Sequence, residues 1–148
     1  MESIDGYADT AIDIQGVTVY VCKGGDCRHR AADIALKGDI VLHEDSGAPY
    51  AADSLGARRG YYISISHTCD ICVIAVSDAP VGVDIERLDR TPPKGFADIW
   101  AWTDTEAYVK AGRQGLRMSD VRYGGIACSA QRRVIDGIYA LSVYKGNA

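Results

Sequence analysis

The sequence has no excess of positive charge: 16 Lys and Arg stand against 20 Asp and Glu, for a net charge of −4. Nucleic-acid proteins usually carry a basic excess or stripe, so that class is disfavoured. No apolar run approaches the roughly 20 residues that a membrane-spanning helix needs. Residues 1–10 are polar and acidic and lack a signal-peptide pattern, so the expected compartment is the cytoplasm. The five cysteines (Cys22, Cys27, Cys69, Cys72 and Cys128) are odd in number, which argues against a disulfide framework. Cys69 and Cys72 have C-x-x-C spacing, but a zinc site would also need Cys22 and Cys27 to converge on them. Cys72 opens the apolar run Val73-Ile74-Ala75-Val76, where cysteine packs as a small hydrophobe.

What the chain does have is core-forming material. Hydrophobic residues make up 47% of its 148 positions, enough for one compact domain. The arginines cluster as Arg28 with Arg30, Arg58 with Arg59, Arg87 with Arg90 and Arg132 with Arg133. Basic patches on an acidic protein suit an anionic small molecule or an acidic partner, although any one pair also reads as solvated surface.

Hydrophobic spacing predicts the elements. Residues 1–13 read as a loose lead-in and 16–22 as a strand. A helix is expected over 27–37, capped by Asp26, with Ala31, Ile34 and Ala35 on its apolar face. A short strand at 40–42 and a loop over 43–60 follow, the latter from its Gly and Pro breakers. Strands over 61–66 and 72–77 form a hairpin, and another strand covers 81–86. Helical stretches are expected over 96–102 and 104–111, and late strands over 122–128 and 139–144. Strand, helix and hairpin thus occur twice, in halves of about 14–79 and 80–145. The expected class is α+β with mostly antiparallel sheets.

Two segments carry chemistry. In Val81-Gly82-Val83-Asp84-Ile85-Glu86, alternation puts both acids on one face of the strand and Val83 and Ile85 on the other. In Trp102-Thr103-Asp104-Thr105-Glu106, followed by Lys110, helical spacing puts Glu106 and Lys110 one turn apart on one face. Three carboxylates and an ammonium suffice to hold a hard divalent cation against a phosphate and move a proton beside it. The plainer readings are an acidic strand end, an i,i+4 pair, and a capping box from Thr103 to Glu106. Ser66 and His67, at the end of Ser64-Ile65-Ser66-His67, are suited to donate to a phosphate.

These segments resemble the 4′-phosphopantetheinyl transferase superfamily, in the family's own order over about residues 47–116. Gly47-Ala48-Pro49 is similar to its G-K-P segment and Ser66-His67-Thr68 to its S-H-S segment. Val81 to Glu86 is similar to G-V-D-I-E. Trp102-x-x-Thr105-Glu106-Ala107-x-x-Lys110-Ala111, continuing to Gly115-Leu116, is similar to W-x-x-K-E-A-x-x-K-A-x-G-x-G-L.

The resemblance implies a compact, single-chain member built of two α+β halves with the active site between them, working as a monomer. It implies transfer of phosphopantetheine from coenzyme A to a serine of an acyl or peptidyl carrier protein. Asp84, Glu86 and Glu106 would hold magnesium, and Glu106 would also act as base. Lys110 would steady the phosphate, His67 and Ser66 would contact the coenzyme, and Arg28 and Arg30 are candidates for its 3′-phosphate. Two of the three lysines in those family segments are Ala48 and Thr105 here, with Lys110 kept, which also leaves room for a relative that binds coenzyme A or a carrier without turnover.

Overall fold

The computed structural model describes residues 3–4, 9–112 and 130–146. The strand expected over 122–128, Gly115 and Leu116 of the helical motif, and Cys128 lie outside them. In chain order the elements are β1 (Ser3–Ile4), β2 (Thr10–Ile14), β3 (Val17–Lys23), α1 (Cys27–Leu36), β4 (Ile40–His43) and β5 (Pro49–Ala52). Then come β6 (Tyr62–Thr68), β7 (Ile71–Ser77), β8 (Val81–Arg87), α2 (Ile99–Gly112), β9 (Gln131–Ile135) and β10 (Tyr139–Lys145). This is an α+β arrangement in which every strand pairing is antiparallel except β1 with β9. Among the described residues, no helix is long and apolar enough to cross a membrane.

One sheet has the order β2-β3-β7-β6, the other β1-β9-β10-β8, and β4-β5 stands apart as a hairpin. The order β3-β7-β6 and the order β8-β10-β9 are the same pattern. In each, a strand leads into a helix and then pairs with the second strand of a hairpin.

Alternation explains the layers. Val17, Val19 and Val21 of β3 join Val73 and Ala75 of β7, Val83 and Ile85 of β8, and Leu141 and Val143 of β10 in a core between the sheets. The opposite face of the first sheet, through Cys22, Cys72, Ile74 and Ile63, packs under α1 on Cys27, Ala31, Ala35 and Leu36. A fully buried Val or Ile side chain contributes about 1.5–3 kcal/mol, so these two apolar layers hold the sheets together.

Several sequence expectations change. Residues 10–13 of the expected lead-in, together with Ile14, form β2, because they pair along β3 from Thr10↔Val21 to Ile14↔Val17. The expected loop contains β5, paired with β4. Pro49 begins that edge strand, where a missing N–H costs nothing, and Gly47 sits at φ 92° in the turn before it. Asp26 adopts a left-handed φ of 58° and makes no side-chain cap. Ile34 is 42% exposed, and Leu36 is buried on the helix in its place. The thiols of Cys22, Cys27 and Cys72 lie in the α1 core while Cys69 is exposed, so the C-x-x-C pair does not face one point. Burial pushes the Cys22 thiol up to about 11 and the Cys72 thiol up to about 12, keeping both protonated.

The two helical stretches expected around Trp102 are one helix. Its first turn is capped by Asp98, whose Oδ1 accepts from the Ala101 N–H at 2.8 Å. Thr103 therefore lies inside α2, fully buried, with its hydroxyl 2.8 Å from that of Ser142. The capping box is overturned, and Glu106 stands in mid-helix without a helix end to satisfy.

Candidate functional site

The two sheets meet along β6 and β8, and side chains close the seam. Ser64 Oγ accepts from the Val83 N–H and Ser66 Oγ from the Ile85 N–H, both at 3.1 Å. Lys110 Nζ donates to the Ile65 carbonyl at 3.2 Å and the Val83 carbonyl at 3.1 Å. Backbone groups that a neighbouring strand would otherwise satisfy are thus met by two hydroxyls and an ammonium. This accounts for the alternation in Ser64-Ile65-Ser66: the serines face β8 and the isoleucines face α1.

Gly82 sets how closely α2 approaches. A Cβ there would fall 1.7 Å from the Ala107 carbonyl oxygen, so the helix backbone rests directly on the strand. That contact brings Glu106 and Lys110 over the face of β8 that carries Asp84 and Glu86. A partly buried network anchors α2 on its other side. Ser142 Oγ donates to Asp104 Oδ1 at 2.6 Å, and Arg132 Nη2 donates to Asp104 Oδ2 at 2.6 Å. Ser142 lies directly opposite Asp84 in the β10–β8 ladder, so helix anchor and acid share one face.

Asp84 is 5% exposed. Its Oδ1 accepts from Ser66 Oγ at 3.0 Å and lies 3.5 Å from Lys110 Nζ, while its Oδ2 is buried with no hydrogen-bond partner. Burial pushes its carboxyl up to about 7 against the pull of Lys110, and the charges of Glu106 and Glu86 add to the rise. Glu106 is raised too, by burial first and also by Glu86. Glu86, at the outer end of the strand, is held by Arg90, whose Nη1 lies 2.6 Å from Oε1.

Among the described residues, no three such side chains stand close enough together to ligate one ion. The chemistry of the set nevertheless fits a hard divalent cation. Asp84 offers a buried oxygen without a hydrogen-bond partner, and the charges of Glu86 and Glu106 raise its affinity for positive charge.

On the other side of Lys110 opens a cleft of about 630 Å³ between α1, the β4–β5 hairpin, β6 and α2. This lies within the range of small-molecule and cofactor sites. Its floor is apolar, formed by Ala32, Val41, Ile63, Ile65, Ile74 and Val109. Its rim carries Arg28, Lys110 and all 3 histidines of the chain, His29, His43 and His67. No carboxylate lines it among the described residues. A concave, cation-rimmed surface with an apolar floor concentrates an anionic ligand that also has apolar parts.

The structure thus brings Asp84, Glu86, Glu106 and Lys110 together and sets His67 and Arg28 on the adjoining cleft. Ser66 lies in the seam, with its hydroxyl donated to Asp84. Arg30 is turned away from the cleft: it pairs with Asp9 at 3.1 Å and donates to the carbonyls of Lys23 and Gly25. Thr105 is buried and donates to the Ala101 carbonyl of its own helix at 2.7 Å.

Sequence reasoning missed His29, His43, Arg90 and the Asp104–Arg132–Ser142 network. Isolated histidines on separate elements carry no shared signal. Ser142, alone in the apolar strand Ala140-Leu141-Ser142-Val143, did carry one, since a hydroxyl buried there needs a partner. Compared with known proteins, the chain matches no family model and no curated protein sequence.

Proposed function

We propose that the chain is a magnesium-dependent 4′-phosphopantetheinyl transferase, moving phosphopantetheine from coenzyme A to a serine of an acyl or peptidyl carrier protein. The observation that carries this reading is the junction at Lys110. A cation-rimmed cleft of cofactor size abuts three carboxylates there, one with a buried, unpartnered oxygen. The order of the motifs supports it. So does the repeated strand order, which suits two like halves with the reaction at their seam, working as a monomer.

Asp84, Glu86 and Glu106, which do not converge on one point as they stand, would close around a divalent cation that neutralises charge on the coenzyme pyrophosphate. Arg28 and His67 bind the anionic end of coenzyme A in the cleft. Lys110, fixed by two carbonyls, holds its charge where cleft and carboxylates meet. Glu106, made more basic by its burial, takes the proton of the carrier serine as that oxygen attacks the β-phosphate. The bond from that phosphorus to the 3′,5′-ADP oxygen breaks, and Lys110 steadies the departing charge. Such displacements depend on in-line positioning and charge neutralisation.

A second reading has its own observation. Ala48 lines the cleft without charge and Thr105 is buried against its own helix, so neither of those two family lysines is replaced in place. A relative that binds coenzyme A or a carrier without turnover fits those two positions. Incubation with coenzyme A, magnesium and a panel of apo carriers separates the readings. The transferase adds phosphopantetheine mass to a carrier and loses that activity on Asp84→Ala with the fold intact. No transfer to any carrier would remove the first reading and leave the second.

A further inference from the structure

The carboxylates are flanked by two cations of different kinds. Lys110 lies at the Asp84 end, its ammonium tied to two carbonyls as well as to the acid. Arg90 lies at the Glu86 end, 2.6 Å from Oε1, and its charge also reaches Glu106. The Glu86 side chain is 15% exposed and that of Arg90 is 45% exposed, so the guanidinium sits on the solvent side of the pair.

The turn after β8 is built to aim it there. Arg87 forks onto Asp89 with two bonds of 2.9 Å, Leu88 N–H donates to the Ile138 carbonyl at 2.8 Å, and Arg90 N–H donates to the Arg87 carbonyl at 3.1 Å. At the inner side, Asp84 Oδ2 remains buried and unsatisfied. The cluster therefore has a fixed cation inside, an exchangeable one outside, and an unmet acceptor between them.

We infer that Arg90 is a resident counter-cation that a divalent metal must displace from Glu86, so that this arginine sets the metal affinity of the site. The inference rests on the metal reading above and deepens it. A guanidinium on Glu86 and a metal on Glu86 compete for the same oxygens. Removing the arginine frees that carboxylate and removes a repelling charge.

Binding of Mn²⁺, followed by electron paramagnetic resonance with no substrate present, tests this in the wild type, Arg90→Ala, Arg90→Lys and Arg59→Ala. Arg59 pairs with Asp39 at 3.0 Å, away from the carboxylates, and controls for net charge. Arg90→Ala is expected to bind Mn²⁺ about tenfold more tightly than the wild type, the worth of one charge-assisted contact of about 1.4 kcal/mol. Arg90→Lys falls between them, and Arg59→Ala stays within about twofold because its charge is paired elsewhere and screened from the carboxylates by solvent and salt. Equal or weaker binding by Arg90→Ala overturns the inference and leaves the metal reading standing. No binding by any variant, at matched folded content by circular dichroism, removes both.

Discussion

The two halves share a strand order but use their helices differently. In the first, α1 covers its sheet incompletely and leaves a cleft open beside β6 and the β4–β5 hairpin. In the second, α2 lies so close to β8 that Gly82 has no room for a Cβ. The open half collects cations and apolar walls. The closed half collects carboxylates and removes them from water. On the proposed function, one topology supplies a binding surface and a reactive one, with Lys110 on the line between them.

The sharpest way to break this comparison is to fill the closed half. Gly82→Val is expected to cost about 3 kcal/mol or more, because backbone atoms cannot step aside as side chains can. Gly25→Ala, where a Cβ meets nothing within 4 Å, should stay within about 0.5 kcal/mol. Urea midpoints compare the two, and similar costs would mean that the halves are packed alike.

Next in size is a pH effect confined to the closed half. Asp84 moves from 3.8 to about 7 on folding. Between those values the folded protein holds a proton that the unfolded chain has lost. This contribution to stability is therefore fully present below 3.8 and is lost as pH rises toward 7, by on the order of 4 kcal/mol at most. Melting temperatures in chelator across this range should fall in the wild type relative to Asp84→Asn, which keeps the raised Glu106 and every other acid. A wild type that instead gains stability over this window, relative to Asp84→Asn, would mean that Asp84 is ionised throughout.

Ser142→Ala removes two bonds that seat α2, to Asp104 and Thr103, and should cost about 2 kcal/mol. Because that loss loosens Glu106 over β8, kcat should fall more than coenzyme A affinity. Arg28→Ala should do the reverse, raising KM for coenzyme A about tenfold with a smaller change in kcat. If the two substitutions gave the same kinetic signature, the division of labour between the halves would be lost.

Much of the closed half was legible in the sequence. Val81 to Glu86 alternates cleanly, and Gly82 within an apolar strand signals a close backbone approach, here with α2. The open half was harder to read. Its hairpin lies in a stretch rich in Gly and Pro, so β5 looked like loop. Its histidines come from α1, β4 and β6, and only the fold gathers them. The role of Ser66 was half visible: a donor to an oxyanion was expected, but its hydroxyl donates to Asp84 and accepts from the β8 backbone. Thr103 misled through a local pattern, since a capping box carries no information about the Ser142 hydroxyl facing it across the sheet.

Calorimetric titration of coenzyme A, with and without Mg²⁺, into the wild type and Asp84→Asn tests the central claim most directly. Both proteins are expected to bind coenzyme A through the cleft without metal, and Mg²⁺ to tighten binding only in the wild type. Absence of coenzyme A binding, or an equal response to Mg²⁺ in both proteins, would contradict that claim.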